Sequence, residues 1–358
     1  MGMLKELLLK EYDESMEDFH RIEVIVTELL EKTLAEGGIR PMQIAHRIKS
    51  RDSVAEKMDR KPEKYPTVKL LNDLIGFRII CYFSEQVDQM AELVRKVLVV
   101  ESVSDKRKLM APTAFGYLSL HYICSLPKDQ GYPEELTDYT FEIQFRTVLQ
   151  HAWAEIEHDL GYKTEFGIPL DVRREFSRVA GLLEIADEYF AEIKWRINDY
   201  VTRVRTSIQE DNADDFKLDL VTLTEFMHRS RLMTSLLDEI SSITGAELME
   251  VSPEPYLKRF DLLGIRTLGD LTSFIEEEHD HALLLARGAL SMADLDTMAS
   301  TVGFYYICRA RLVFGDFREQ DIREYFKLDE NEIGASAELI ERQVQIILRL
   351  RKKYDVAE

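Results

Sequence analysis

The spacing of hydrophobic positions changes within one stretch of the chain, from Phe141 to Lys163. At its start Phe141, Ile143 and Phe145 are apolar and the residues between them are polar, which is the period of a half-buried strand. From Val148 onward, apolar residues recur at every third or fourth position, as they do on one face of a helix. The pattern predicts a strand that leads directly into a helix.

Polar side chains follow this strand and helix. Glu142 and Arg146 lie on the polar face of the strand, while His151 shares a helix face with Glu155, and Glu157 follows closely. A strand end that leads into a helix gathers such groups around one point, where a ligand can reach several at once. A solvated strand face beside an ordinary charged helix explains the same residues equally well.

A second run, Asn72 to Phe83, is rich in β-branched and aromatic residues and is predicted to be a buried strand. Arg78 is its lone cation, and we expect it to face a ligand or a carboxylate because an unpaired buried guanidinium is very costly. Gly76 indicates a bulge or a close backbone approach. Asp73 stands just before the strand, where it either caps a turn or joins a site.

A third run, Phe115 to Ser125, alternates again and places Tyr117, Ser119 and His121 on one strand face. This line is either a solvent face with a cross-strand aromatic residue or a stacking platform with a hydroxyl and an imidazole beside it.

Helices flank these strands. Helical periodicity covers residues 3–36, 84–98 and 171–205, and residues from 216 to the end are almost purely helical. The acidic, polar segment 206–215 has the composition of a linker. The prediction is an α+β domain over residues 1–205, with a mixed β-sheet flanked by helices, then a linker and an all-α accessory domain over residues 216–358.

Composition excludes several classes of protein. No apolar run approaches the roughly 20 residues needed to cross a bilayer, and the amino terminus lacks a signal-peptide pattern; a cytoplasmic protein without membrane contact is expected. The three cysteines are far apart and indicate neither a disulfide framework nor a zinc site. A net charge of −20 argues against broad affinity for nucleic acid. Any phosphate site must therefore use a concentrated basic cluster.

Such a cluster is predicted between Ile39 and Pro62. Arg47 and Lys49 are two residues apart, as on one strand face, whereas Ser53 and Lys57 are four apart, as on one helix face. A strand-to-helix junction between the two pairs would point all four side chains toward one place.

The candidate residues together suit nucleotide chemistry. Asp73 and Glu142 stand at the ends of predicted strands, and one or two carboxylates with phosphate oxygens and water are what Mg²⁺ prefers. Nearby cations neutralise a polyphosphate, and an aromatic face stacks a base. The composite predicts a metal-assisted phosphoryl-type transfer site, although no glycine-rich phosphate loop is present in the sequence.

Four segments in fixed order carry a specific resemblance: RIKSRDSVAEK, NDLIGFRI, FGYLSLHY, and FEIQFRT followed by HAWAEIEHDLGYK. They resemble the RelA/SpoT family of alarmone synthetases over about residues 40–200. The resemblance implies a nucleotidyltransferase-like synthetase domain that uses Mg²⁺ to transfer the β,γ-pyrophosphate of ATP to the 3′-hydroxyl of GDP or GTP, making (p)ppGpp.

The resemblance also implies roles on the ATP side. Arg47 and Arg78 would sandwich the adenine, and Lys49, Ser53 and Lys57 would hold the phosphates.

By the same resemblance, catalysis and metal binding would fall to Asp73 and Glu142, with Glu142 either sharing the ion or acting as general base toward the acceptor. The residues implied for the acceptor are Tyr117, Ser119, His121, Gln144, Arg146, His151 and Glu157. Among these, Tyr117 would stack on the base, His121 would lie near its phosphates and His151 would face its edge.

The sequence departs from the family pattern in two respects. The hydrolase half is absent, so degradation of the product is not expected. A lysine common before the Gly-Tyr pair is missing and Leu118 follows the Tyr, so we expect the loop residues Lys106, Arg107 and Lys108 to compensate.

This leaves the acceptor open. One alternative is a toxin-type synthetase, restrained by its carboxy-terminal domain, that modifies the tRNA 3′ end or an adenosine nucleotide. Another is a nucleotide-binding regulator without catalysis. The expected binding partners are ATP and either GDP or GTP. Whether the chain forms a homo-oligomer is left open by the sequence.

Overall fold

The computed structural model describes residues 2–60, 67–109, 119–162 and 170–356. The chain folds into two compact units, Met1–Trp195 and Arg196–Glu358. Each has its own hydrophobic core.

The first unit is built on a mixed sheet, as predicted. Its strands are β1 Gln43–Ile48, β2 Ile75–Cys81, β3 Val99–Asp105, β4 Leu120–Ser125 and β5 Phe141–Thr147. They lie in the order β1-β2-β5-β4-β3, and β2 pairs with β5 in parallel while the other described neighbours are antiparallel.

Helices precede, connect and follow these strands along the chain. They are α1 Gly2–Glu14, α2 Met16–Glu36, α3 Arg51–Arg60, α4 Ser84–Val97, α5 Lys106–Leu109, α6 Glu134–Thr137, α7 Val148–Tyr162 and α8 Leu170–Gln209, with a 3₁₀ turn at Val68–Leu70. The predicted passage from strand to helix is the β5–α7 junction, where no residue separates the two elements.

One face of the sheet is the core. Phe77 pairs with Ile143, and Ile79 pairs with Phe145, while Tyr122 lies opposite Ile143 from the other side. All five are buried and this face packs against α2 and α4. Complete burial stabilises by roughly 1.5–3 kcal/mol per large apolar side chain, so this face holds the unit together and leaves the opposite face for polar residues.

The predicted helix over residues 3–36 is instead two helices, broken at Ser15. The Tyr139 hydroxyl donates a hydrogen bond to Ser15 Oγ at 3.0 Å, and Ser15 is buried. Apolar spacing continues through the break, so periodicity did not reveal it.

The segment 206–215 also differs from its predicted role as a linker. Helix α8 continues to Gln209, and Ile208 and Ala213 are buried in the second core. Its acidic composition masked two apolar residues that pack among helices.

The second unit is helical, as predicted, apart from a short parallel pair of strands. Its elements are α9 Leu220–Arg229, α10 Arg231–Ser241, β6 Glu247–Met249, α11 Glu254–Leu262, α12 Leu268–Leu290, β7 Thr297–Ala299, α13 Val302–Phe314, α14 Glu319–Ile333 and α15 Ala337–Lys353. Phe260 is central to its core, with ring centroids 5.3 Å from Phe304 and 6.2 Å from Phe274. Within the described residues, no helix combines the length and apolar character required to traverse a bilayer.

Candidate active site

The polar face of the sheet borders a cavity of about 170 Å³. Its lining includes Arg47, Asp73, Arg78, Glu142, Gln144 and Glu155. Five of these six residues were candidates from sequence, and Glu155 had been given no role.

Strand register explains why these residues meet. Arg47 on β1 pairs with Gly76 on β2, and Gly76 pairs with Glu142 on β5. Because Gly76 has no side chain, it leaves space between the arginine and the carboxylate; a Cβ added there would lie 3.9 Å from Arg47 Cγ. In the next row Arg78 pairs with Gln144, so the two-residue period of the strands places these groups on one face.

Asp73 precedes β2 and receives two lysines. Lys49 Nζ lies 2.8 Å from Asp73 Oδ2, and Lys57 Nζ on α3 lies 2.5 Å from Oδ1. Burial alone raises the pKa of Asp73, but hydrogen bonds from the two ammonium groups outweigh it and hold the pKa below its ordinary value. The backbone at Lys49 is held in place, because the Tyr12 hydroxyl donates a hydrogen bond to the Lys49 carbonyl at 2.7 Å. The predicted basic cluster therefore meets a carboxylate.

Ser53, the fourth member of that cluster, lies in the first turn of α3. Its hydroxyl accepts from Ser50 Oγ at 2.9 Å, and it is not among the described residues that line the cavity.

Arg78 has the carboxylate partner that its position required. Its Nη1 lies 2.6 Å from Glu155 Oε1 on α7. His151, one turn earlier, has Nδ1 3.7 Å from the same oxygen. Burial, together with the cations Arg78 and Arg146, lowers the pKa of His151, which favours a neutral imidazole. Glu157 is not among the described cavity-lining residues.

A chain of hydrogen bonds crosses β4 and β5. His121 Nδ1 lies 2.7 Å from Glu142 Oε1, and Gln144 Nε2 donates to Glu142 Oε2 at 2.7 Å. Arg146 Nη2 donates to Gln144 Oε1. Burial raises the pKa of Glu142, but the hydrogen bonds from His121 and Gln144 outweigh it and leave the pKa lowered. Glu142 is therefore an ionised carboxylate with both oxygens engaged.

Ser119 completes this chain. Its Oγ lies 2.6 Å from His121 Nε2, and only 1% of the residue is exposed. Ionised Glu142 can only accept, so His121 donates from Nδ1, and in the neutral ring Nε2 accepts from the Ser119 hydroxyl. Although this order resembles a hydrolase triad, the buried hydroxyl is not accessible to a substrate, and Ser119 serves to orient the imidazole.

The basic residues after β3 are arranged differently from the cavity cations. Arg107 donates to Asp88 at 2.7 Å and to Asp105 at 2.9 Å, and these hydrogen bonds raise its pKa. Arg107 is thus held by carboxylates of its own unit. Lys106 shares α5 with it, whereas the side chain of Lys108 and all of Tyr117 lie outside the described residues.

The two cavity carboxylates can accommodate a divalent cation. No group of three or more His, Cys, Asp or Glu residues suited to a metal occurs in the described parts of the chain, so a protein-only metal cage is not supported there. Asp73 and Glu142 both line the cavity, and two carboxylates match the protein share of an Mg²⁺ shell that substrate phosphates and water complete.

Part of the chain is similar to known proteins. Residues 46–166 match the family described as "Region found in RelA / SpoT proteins". GTP pyrophosphokinase YwaC of Bacillus subtilis is 28% identical over 155 residues, 42% of this chain and 73% of that protein. GTP pyrophosphokinase YjbM of the same organism is 29% identical over 160 residues, 44% of this chain and 73% of that protein.

Among solved structures, the small alarmone synthetase 1 from Bacillus subtilis bound to its product pppGpp is 26% identical and covers 52% of this chain and 98% of that chain, with a TM-score of 0.45. The similarity to RelA/SpoT proteins thus lies in residues 46–166 of this chain.

Proposed function

We propose that this chain is a Mg²⁺-dependent enzyme that transfers the β,γ-pyrophosphate of ATP to the 3′-hydroxyl of GDP or GTP, making (p)ppGpp. The observation that carries the proposal is one cavity in which two carboxylates, Asp73 and Glu142, lie beside cations from several elements. Polyphosphate transfer depends mainly on positioning and charge neutralisation, which such a site supplies. Similarity of residues 46–166 to RelA/SpoT proteins, and of part of the chain to two proteins named GTP pyrophosphokinase, supports the same reaction.

The ATP side of the site is assigned to the β1–α3 junction and β2. Arg47 and Arg78 line the cavity from adjacent strands, and guanidinium planes stack well on bases, which supports a sandwich around the adenine. Lys49 and Lys57, with Ser53, would hold the phosphates. In support, both ammonium groups already converge on one anion, Asp73.

Asp73 and Glu142 would hold the Mg²⁺ ion. When bound, the ion would neutralise charge on the transferred phosphates. Binding of ATP requires Lys49 and Lys57 to move their hydrogen bonds from Asp73 to phosphate oxygens. That exchange would leave the carboxylate of Asp73 available as a metal ligand.

On the acceptor side, the 3′-oxygen forms a bond to the β-phosphorus, the bond from that phosphorus to the α,β-bridging oxygen breaks, and AMP leaves. We assign Glu142 to the acceptor hydroxyl, whose proton it takes as general base, as well as to the ion. Its lowered pKa makes it a weak base, which suits a loose transition state that needs little early proton removal. His121 and Gln144 hold its two oxygens in place.

Recognition of the acceptor is proposed for the remaining polar residues, namely Tyr117, Ser119, His121, Gln144, Arg146, His151 and Glu157. Ser119 would act through His121, and a neutral His151 can both donate to and accept from a base edge. Guanosine nucleotides are the acceptors that the names of the two curated relatives favour.

The test is transfer of label from γ-labelled ATP, with Mg²⁺, to GDP, GTP, AMP, ADP and deacylated tRNA in parallel reactions. Label in a guanosine nucleotide is the expected result. Label in tRNA or in an adenosine nucleotide alone would overturn the acceptor assignment. No label in any acceptor would overturn the assignment as an enzyme and favour a nucleotide-binding regulator.

A further inference from the structure

A buried carboxylate lies behind the β5–α7 junction, away from the cavity lining. Asp187 on α8 is 4% exposed, and its Oδ2 accepts a hydrogen bond from Thr147 Oγ1 at 2.6 Å. Thr147, the last residue of β5, is completely buried. Forty residues separate the two along the chain, so the contact joins distant elements.

Thr147 also fixes the start of α7. The backbone N–H of Gln150 donates to Thr147 Oγ1 at 3.1 Å, and the Thr147 N–H donates to Gln150 Oε1 at 3.0 Å. This reciprocal pair satisfies donors that a helix amino terminus leaves unpaired. The threonine hydroxyl thus accepts from the helix and donates to Asp187 at the same time, and the carboxylate sets its orientation.

Stability does not account for this carboxylate. Among the described residues, Asp187 Oδ1 has no hydrogen-bond partner, and a buried polar group that is only half satisfied is costly. Burial also raises the pKa of Asp187 to about 6. A buried charged group is often replaceable by apolar residues without loss of stability, so its presence calls for a role in geometry.

The junction held by Asp187 connects two sets of site residues. Glu142, Gln144 and Arg146 occupy alternate positions on β5 just before Thr147. His151 follows directly after Gln150, and Glu155, which pairs with Arg78, lies one turn later. A shift of α7 relative to β5 would therefore separate these sets, and displacements of about 1 Å can cost about 10²-fold in rate.

We propose that Asp187 is a positioning residue that fixes α7 against β5 through Thr147 and so sets the geometry of Arg78 and Glu155. The proposal rests on the proposed function for its kinetic consequence, whereas its structural consequence is independent of any activity. Asp187 acts through Thr147 and touches neither substrate nor metal.

Two variants test it. Asp187→Ala removes the acceptor, and Thr147→Val removes the hydroxyl while keeping its volume. Each should speed amide hydrogen exchange at the start of α7, residues 148–151, at least fivefold relative to the rest of that helix. Asp187→Asn and Thr147→Ser keep the hydrogen bond and should restore wild-type exchange. Asp199→Ala is the matched control, because Asp199 is a carboxylate of α8 in an exposed pair with Arg203.

The kinetic measurement determines KM for ATP and kcat of the same variants at temperatures well below their melting temperatures. Asp187→Ala should raise KM for ATP about tenfold with kcat reduced less than threefold, and the double variant with Thr147→Val should be no worse than either single variant. Unchanged exchange in residues 148–151, or failure of Asp187→Asn to restore it, would overturn the proposal. If exchange responds but the wild-type chain transfers no pyrophosphate, the positioning role stands and the proposed function fails.

Discussion

Two ion pairs, one in each unit, show how differently buried charge is used. In the second unit Arg259 donates to Asp329, to the Pro255 carbonyl at 2.6 Å, and lies over the ring of Tyr256 at 5.6 Å. It is enclosed by its own partners. In the first unit Asp73 also has cationic partners, but its side chain is one-third exposed and faces a cavity.

This difference separates a structural pair from a functional one. The contacts of Arg259 come from its own fold, and removing one partner leaves a buried charge behind. Asp73 and its lysines face a space where a ligand can replace each contact. We expect substitutions in the first kind of pair to change stability and substitutions in the second kind to change chemistry.

The largest expected effect is that of Asp73→Asn. Pyrophosphate transfer should fall by about 10³-fold or more, since a metal-binding carboxylate is lost. The free energy of unfolding at neutral pH should change by less than about 1 kcal/mol, because the group is partly exposed. Label transfer and thermal unfolding measure the two quantities. Asp13→Asn, which breaks an exposed pair with Arg51, is the control and should keep full activity.

Arg259→Met should show the opposite pattern. Removing the buried guanidinium and leaving half-buried Asp329 without its partner should cost about 1–3 kcal/mol of unfolding free energy. At temperatures where the variant remains folded, pyrophosphate transfer should stay within twofold of wild type. Arg266→Met, which removes an exposed pair with Asp261, should leave the melting temperature unchanged. A stable Arg259→Met variant would erase the distinction between the two pairs.

Asp187 provides a pH test of buried charge. Its pKa is raised to about 6 in the folded chain, against about 3.9 when unfolded. The protonated form therefore stabilises the fold below the unfolded pKa, and this contribution is lost as pH rises through about 6, amounting to up to about 3 kcal/mol. Relative to wild type, Asp187→Asn should become more stable as the pH rises from about 4 to about 7. The measurement is the melting temperature of both proteins across that pH range. A constant difference between the two melting temperatures would contradict the assigned burial effect.

The smallest expected effect concerns Glu155 and Glu157, two carboxylates of α7 that form a matched pair. Glu155→Gln should weaken the hold on Arg78 and raise KM for ATP about tenfold, or about 1.4 kcal/mol, with kcat nearly unchanged. Glu157→Gln should leave KM for ATP at its wild-type value. Steady-state kinetics with varied ATP compares them, and equal effects of the two substitutions would remove Glu155 from the ATP site.

Local pattern predicted much of this arrangement. Alternation in FEIQFRT predicted a strand with one polar face, and β-branched and aromatic residues in NDLIGFRI predicted a buried strand. The spacing of Arg47 and Lys49, and of Ser53 and Lys57, predicted a junction that points all four side chains to one place. The structure adds that this place is Asp73. The strands and the basic junction depend on residues that are near each other in sequence and on strand periodicity, and both can be read directly from the sequence.

Other features depend on contacts between distant segments, which no local pattern contains. Arg78 was predicted to face a ligand or a carboxylate, but the sequence could not indicate its partner Glu155, which is 77 residues away. Thr147 and Asp187 meet only because α8 packs behind the junction. The break at Ser15 and the buried Ile208 were likewise decided by tertiary packing.

The most direct test of the central claim compares wild type with Glu142→Gln in label transfer from ATP to GDP, with Mg²⁺ present. Glu142 lies on the polar face of the sheet and not in the apolar core, so the amide should preserve the fold while removing the charge and one of the two acceptor oxygens. We predict labelled guanosine product from wild type and none from the variant, with closely matched melting temperatures. Turnover by Glu142→Gln at a wild-type rate would contradict the assignment of this face as the active site.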